Sequence, residues 1–265
     1  AAARTFIEAI MQSSKDQAAI IPFTGSAFLE QGLTRDVFSL YRALERVDVA
    51  LPAYLGSGKP ISGIATGPGM RGTPPEGSTA IWDAIAVTAS EVLARDLDPK
   101  ADGQSSQPRQ GGLVPSQGAQ ARGPAPNQRR RAIILFTDGI NSTSRLTRNE
   151  AINRALEAEA VIYAIGIGDG KYAGVDHDAL NAVARGTGGR AFFPKKETDL
   201  KNVFLEIEQE LRSQYLIAYS SSNKQRDGNY RKMRIEVTNP ELQKEQLQLR
   251  HRPGYFAKAV PPAGK

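Results

Sequence analysis

Two residues of this sequence carry oxygen atoms at positions where an α/β protein could bind a metal ion. Asp138 comes two residues after the apolar run 132–136, and Thr79 opens an amphipathic helical pattern. In open α/β sheets, ligands bind beyond the carboxyl ends of the strands, where we expect both side chains to lie. A carboxylate and a hydroxyl are hard donors suited to Mg²⁺, which keeps several waters and takes one or two protein carboxylates.

The same two residues also have a structural interpretation. Asp138 could form an Asx-turn after its strand, and Thr79 could cap the helix that follows it. Neither role would involve a metal ion. The residues alone leave both interpretations open.

A glycine-rich segment at residues 166–171, Gly-Ile-Gly-Asp-Gly-Lys, invites comparison with phosphate-binding loops. The dinucleotide fingerprint needs glycine where Lys171 stands. The Walker pattern needs glycine at Ile165 and Ser or Thr at Tyr172. Because neither pattern is complete, a glycine-rich strand exit is the favoured interpretation, and a nucleotide-dependent α/β enzyme is the least favoured function.

The composition excludes several kinds of active site. The chain has no Cys, which excludes disulfides, thiolate zinc sites, iron-sulfur clusters and a cysteine nucleophile. His177 and His251 lie far apart, which gives a zinc centre or a serine triad little to build on. The net charge of +6 favours acidic partners, but the basic residues lack the clustering of a nucleic-acid-binding protein. No apolar run approaches the length of a membrane span.

The second half of the chain predicts the elements that would position these residues. Residues 132–136 and 160–165 are apolar on both faces, which is typical of buried parallel strands. A helix between them, a helix ending at Gly188-Gly189, a strand at 190–193 and a helix through 200–211 complete the pattern. Strands alternating with helices predict an α/β fold with a doubly wound, mostly parallel sheet.

The first half predicts fewer elements. Helical spacing begins almost at the first residue, residues 18–23 and 26–29 predict a hairpin, and Asp36 is expected to cap a helix. Residues 52–78 predict a long loop. Gly, Pro, Gln and Ser dominate residues 101–128, which predicts a disordered insertion at 98–130.

The C-terminal residues change pattern. Residues 215–219, 230–237 and 247–256 alternate between apolar and polar, with a turn signal at Asp227-Gly228. This predicts a small antiparallel extension. We therefore divide the chain into an α/β domain at 1–214, a β extension at 215–257 and a tail at 258–265.

Several segments resemble, in order, parts of the von Willebrand factor type A (VWA) domain. They are GSTAIWDAI at 77–85, ILFTDG at 134–139, VIYAIGIG at 161–168 and TGGRAF at 187–192. The end of the chain, LRSQYLIAY at 211–219 followed by RPGYF at 252–256, is similar to the end of a bacterial "VWFA-related" subfamily. The resemblance covers nearly the whole chain except the insertion.

The resemblance implies a Rossmann-like, non-enzymatic protein-binding or adhesion module with a metal-ion-dependent adhesion site. In that site, a divalent cation such as Mg²⁺ accepts an acidic side chain of a protein partner. Thr79 matches the family's threonine ligand, and Asp138 matches its second aspartate. The alternative is a metal-independent structural scaffold. The resemblance also implies an extracytoplasmic, periplasmic or secreted, location in a bacterium.

This sequence departs from the family at one motif. The Asp-x-Ser-x-Ser ligands that follow the family's first strand are absent. We therefore expect an incomplete adhesion site with weak or no metal binding, in a chain that is a fragment lacking that strand.

Overall fold

The computed structural model describes residues 2–11, 16–47, 59–60, 79–94, 130–138, 140–168, 174–215, 217, 219–245, 247 and 249–257. The predicted insertion at 98–130 lies outside these residues except for Arg130, as does the predicted tail at 258–265. In chain order the elements are α1 (Ala2–Ile10), β1 (Ala18–Ile20), β2 (Phe28–Leu29), β3 (Gln31–Thr34), α2 (Val37–Arg46), β4 (Lys59–Pro60), α3 (Ile81–Val87) continued by a π-helix (Thr88–Leu93), β5 (Arg131–Thr137), α4 (Arg148–Glu157), β6 (Ala160–Gly166), α5 (His177–Thr187), β7 (Ala191–Phe192), α6 (Glu197–Arg212), β8 (Tyr230–Lys232), α7 (Pro240–Lys244) and β9 (Gly254–Phe256).

A parallel sheet of order β5-β6-β7 forms the centre of the molecule. The pairing of β5 with β6 runs from Arg131 opposite Ala160 to Thr137 opposite Gly166. Parallel strands are stable when both of their faces are covered, which agrees with the continuous apolar runs of β5 and β6. The predicted α/β class with a parallel sheet is therefore confirmed.

Helices cover both faces of this sheet, as a doubly wound fold requires. Alternate residues along a strand point to opposite faces, so each strand contributes to two clusters. One face packs against α3, α4 and α5 and includes Ile133, Leu135, Ile162 and Ala164. The opposite face packs against α1 and α6 and includes Ile134, Phe136, Tyr163 and Ile165.

Local capping signals act where the sequence predicts them. Asp36 accepts hydrogen bonds from the backbone N–H groups of Phe38 and Ser39, at 3.0 and 3.3 Å, and α2 begins directly after it. Gly188 ends α5 with a φ of 89°, a left-handed conformation that suits a residue without a Cβ. These helix ends are fixed by contacts within a few residues.

The longest described helix, α6, has 16 residues and packs Val203, Phe204 and Ile207 against the sheet. Arg130 caps its C-terminal end, because the guanidinium donates hydrogen bonds to the carbonyls of Leu211, Arg212 and Gln214. Among the described helices, none has the length and apolar character needed to cross a membrane.

The N-terminal strands confirm one prediction in part and correct another. The expected hairpin is present, because Phe23 forms a bridge with Ala27 and the N–H of Phe28 donates to the Pro22 carbonyl at 2.9 Å. Its arms extend further than predicted, since β1 pairs with β3. The register shifts within β1, where Ala18 lies opposite Thr34 and Ile20 lies opposite Gln31. Strand β2 pairs instead with β4, which lies inside the predicted loop 52–78.

The C-terminal extension is antiparallel, but its strands are shorter than predicted. Tyr230–Lys232 pairs with Gly254–Phe256, and the described residues 215, 217 and 219 belong to no strand. An unpredicted helix, α7, begins at Pro240 because the Asn239 side chain accepts the N–H of Glu241 at 2.9 Å. This helix lies in the segment that connects the two strands.

Candidate functional site

Asp138 is the first residue after β5, at the carboxyl end of the parallel sheet. The preceding Thr137 is buried, and its carbonyl accepts the N–H of Ile167 at 2.8 Å, which joins the ends of β5 and β6. Asp138 itself is exposed. The carboxylate therefore lies on the sheet edge that the sequence predicts, next to a rigid pair of strand ends.

Thr79 is bound to the segment that follows Asp138. Its N–H donates to Ser142 Oγ at 2.8 Å, and its carbonyl accepts the N–H groups of Ser142 and Thr143 at 2.8 and 3.2 Å. These hydrogen bonds hold Thr79 against residues 140–146 at the same edge of the sheet. Among the described residues, no hydrogen bond joins the side chains of Thr79 and Asp138.

The structure corrects the role of Thr79 at the helix start. Helix α3 begins at Ile81, and its N-cap residue, Ala80, has no side-chain oxygen to satisfy the first N–H groups. Asn141 Oδ1 accepts the N–H groups of Ile81 and Trp82 at 2.8 and 3.4 Å. Ser144 Oγ accepts those of Trp82 and Asp83 at 3.0 and 3.3 Å. The cap is thus supplied by a distant segment, which leaves the Thr79 hydroxyl free of that task.

Asp83 of α3 makes the reciprocal contact, because it accepts hydrogen bonds from the same segment. Its carboxylate accepts the N–H of Arg145 at 3.1 Å and that of Leu146 at 2.9 Å. The start of α3 and residues 141–146 therefore hold each other by hydrogen bonds in both directions, and we call this arrangement the α3 clasp. No prediction from the sequence included the clasp, although the Asn-Ser-Thr-Ser run at 141–144 is rich in residues that cap helices and form turns.

The exit of β6 has a close-packed structure. A Cβ atom on Gly166 would lie 2.6 Å from Val175 Cγ1 and 2.8 Å from Phe193 Cδ1, so a larger residue would displace one of these side chains. His177 stacks on Phe193, with ring centroids 3.9 Å apart and an interplanar angle of 11°. These contacts give Gly166 and His177 packing roles at the sheet edge. Residues 169–173 of the glycine-rich segment lie outside the described residues.

The donor set at this edge is small. The described residues contain no group of three or more His, Cys, Asp or Glu side chains that could hold a metal ion. Asp138 supplies one carboxylate and Thr79 one hydroxyl, and the hydroxyl oxygen of Thr143 is buried without a hydrogen-bond partner among the described residues. Such donors suit a largely hydrated Mg²⁺, but they would hold it weakly.

No family model and no curated protein matches the chain. Three similar solved structures are the von Willebrand factor type A protein from Catenulispora acidiphila (16% identity over 79% of this chain, TM-score 0.47), the conserved hypothetical protein BatB from Bacteroides thetaiotaomicron (18%, 80%, 0.47) and proximal thread matrix protein 1 of the mussel byssus (13%, 80%, 0.48). The chain spans 37%, 87% and 41% of these proteins, respectively. The likeness concerns the fold alone, whose class rests on the parallel order of β5, β6 and β7.

Proposed function

We propose that this chain is a non-enzymatic protein-binding module of the VWA type, which binds an acidic side chain of its partner at the carboxyl edge of the sheet. The observation that carries the proposal is the position of Asp138 and Thr79. An exposed carboxylate follows β5, and the hydroxyl-bearing residue is hydrogen-bonded to the same following segment. The carboxyl edge is where ligands bind in open α/β sheets.

Asp138 and Thr79 are the residues that would hold a divalent cation. A cation bound there supplies an open coordination position for a carboxylate. The α3 clasp fixes Thr79, so this donor does not have to be ordered when a ligand arrives. Ile140, with 47% of its surface exposed, lies two residues beyond Asp138 and offers an apolar contact for the rest of the partner.

We expect the cation to bind weakly, with a Kd of about 1 mM, because two protein donors compete poorly with the hydration shell of Mg²⁺. The cation would then add specificity for a carboxylate more than affinity. Most of the binding energy would come from the protein surface around it.

Calorimetric titration of Mn²⁺ and Mg²⁺ into the chain tests this proposal. Asp138→Ala and Thr79→Val should weaken binding of both cations by about tenfold. Asp178→Ala is the matched control, because Asp178 is another exposed carboxylate, in the first turn of α5. Thermal unfolding of each variant shows whether its fold is intact.

The outcomes separate the alternatives. Binding that is lost in Asp138→Ala and kept in Asp178→Ala supports the adhesion site. Equal binding in both variants, or none in the unchanged chain, contradicts a role for Asp138 and favours the metal-independent scaffold. One observation already favours a second binding surface that needs no metal, namely the exposed apolar side chains of the C-terminal extension.

A further inference from the structure

Exposed apolar side chains are concentrated in one part of the sequence. Eight of the eleven exposed large apolar residues among those described lie between residues 215 and 249: Tyr215, Ile217, Tyr219, Tyr230, Ile235, Leu242, Leu247 and Leu249. The other three are Phe38, Ile140 and Leu205. Single exposed apolar residues are ordinary on a protein surface, but Tyr219 and Tyr230 of this set lie together in the wall of one groove, as in an interaction surface.

The spacing of these residues indicates the shape of what they contact. Tyr215, Ile217 and Tyr219 are two residues apart, as are Leu247 and Leu249. Two-residue spacing is that of one face of an extended chain, on which neighbouring side chains lie about 7 Å apart. An extended partner segment presents its own side chains with the same period, so this surface matches a strand better than a helix.

A groove in the same region provides a place for such a segment. It has a volume of about 520 Å³ and is lined by residues 219–223, by β8 and by Tyr255 of β9. The rings of Tyr219 and Tyr255 meet edge to face, with centroids 6.3 Å apart. Hydrogen bonds from Ser221 and Tyr219 lower the pKa of Tyr255, so this phenol oxygen acts as an acceptor within the wall.

The charge of the extension selects the chemistry of the partner. Residues 215–257 contain eight Lys and Arg and four Asp and Glu, a net charge of +4 out of +6 for the whole chain. Arg231 is bound to Asp227, whereas Lys232 in the groove wall has no acidic partner among the described residues. A second copy would bring the same positive charge to this surface and be repelled. An acidic partner would be attracted.

We propose that the groove binds an extended acidic segment of another protein, whose alternate apolar side chains contact Tyr219, Tyr230 and Tyr255 and whose carboxylate pairs with Lys232. This interaction needs no metal ion and does not depend on Asp138 or Thr79. It gives the module a second binding surface, separate from the carboxyl edge of the sheet.

Fluorescence anisotropy with a labelled synthetic peptide of alternating Glu and Val residues tests the proposal. We expect saturable binding that weakens as salt rises. Lys232→Glu should raise the Kd by about tenfold, because the proposed pair becomes repulsive. Lys201→Glu is the control, since it makes the same charge change at an exposed position on α6. Tyr219→Ser tests the apolar contact and should also weaken binding.

Two further peptides, a test for self-association and a test with lipid vesicles decide what the groove recognises. A peptide with Gln in place of Glu, and one of the same composition with the alternation scrambled, should bind more weakly. The proposal is overturned if all peptides bind equally or if Lys232→Glu and Lys201→Glu behave alike. It is also overturned if the chain self-associates in sedimentation velocity, or binds phosphatidylglycerol vesicles, while failing to bind the acidic peptide.

Discussion

Apolar residues are buried in the central sheet, whereas similar residues are exposed in the C-terminal extension. In β6, Ile162 and Ile165 have no exposed surface, whereas Tyr215 and Ile217 of the extension are 94% and 66% exposed. The difference lies in what covers them. Helices pack on both faces of β5 and β6, while β8 and β9 are three-residue strands that pair only with each other among the described strands. Apolar sequence thus becomes core only where other elements cover it.

The extension is attached to the core by a few specific contacts. Glu210 of α6 binds Arg250 of the extension, and it lies 3.7 Å from Arg190, which precedes β7. A Cβ atom on Gly188 would lie 2.7 Å from the backbone nitrogen of Arg252, so the extension passes close to the end of α5. The extension is therefore held in place through Arg250 and Arg252, which leaves its exposed apolar side chains available for binding.

The largest effect is expected from Gly189→Ala, inside the core. The added methyl group would overlap the carbonyl oxygen of Ile162 in β6, and neither backbone can move without disturbing the sheet. We expect a loss of about 3 kcal/mol or more in the free energy of unfolding, measured by urea denaturation. Gly32→Ala is the control, because nothing lies within 4 Å of its added methyl group. Equal losses in both variants would contradict this tight packing.

The next effect concerns the connection between the two regions. Glu210→Gln removes the charge that binds Arg250 and faces Arg190, and we expect a loss of about 2 kcal/mol. Limited proteolysis should then cut the extension faster than it cuts the core. Glu206→Gln removes only an ion pair with Arg190, so the extension should stay protected from the protease. If the protease cuts the extension at the same rate in both variants, Glu210 does not hold the extension in place.

A smaller effect is expected at alkaline pH. Burial raises the pKa of Tyr163 to about 12, with Glu210 adding to the shift. Since the folded state favours the neutral phenol, this stability is fully present below pH 10 and is lost as the pH rises through 12. Tyr163→Phe should reduce the extra fall in unfolding free energy over that range by about 1–2 kcal/mol. Tyr215→Phe, at an exposed ring, should leave the fall unchanged.

The smallest effect is expected in the extension at acid pH. Hydrogen bonds from Arg231 and from the N–H of Asn229 lower the pKa of Asp227 to about 2. The folded extension therefore favours the carboxylate, and its stability, present above pH 4, is lost as the pH falls through 2. The protection of the β8 and β9 amides from exchange, relative to their intrinsic rates, should fall over this range, while β5 and β6 stay protected. In Asp227→Asn this acid dependence should be absent, and a change of equal size in the core would argue against a local effect.

Much of the core could be predicted from the sequence because its signals are local. Continuous apolar runs identified β5 and β6, and a glycine pair identified the end of α5. Asp36 capped the helix it was expected to cap. The extension was predicted less well, because its alternating pattern does not state which residues pair, and α7 interrupts it.

The candidate site was predicted in part. The sequence determined that Asp138 follows a buried strand, which places it at the carboxyl edge of the sheet, and the metal-binding role of Asp138 and Thr79 remains a prediction. Only the tertiary structure decided that Asn141 and Ser144 cap α3 across some sixty residues of sequence, that Arg130 caps α6, and that β1 pairs with β3. Caps within a few residues and burial patterns are written into short stretches of sequence, whereas contacts between distant segments depend on where the sheet brings those segments together.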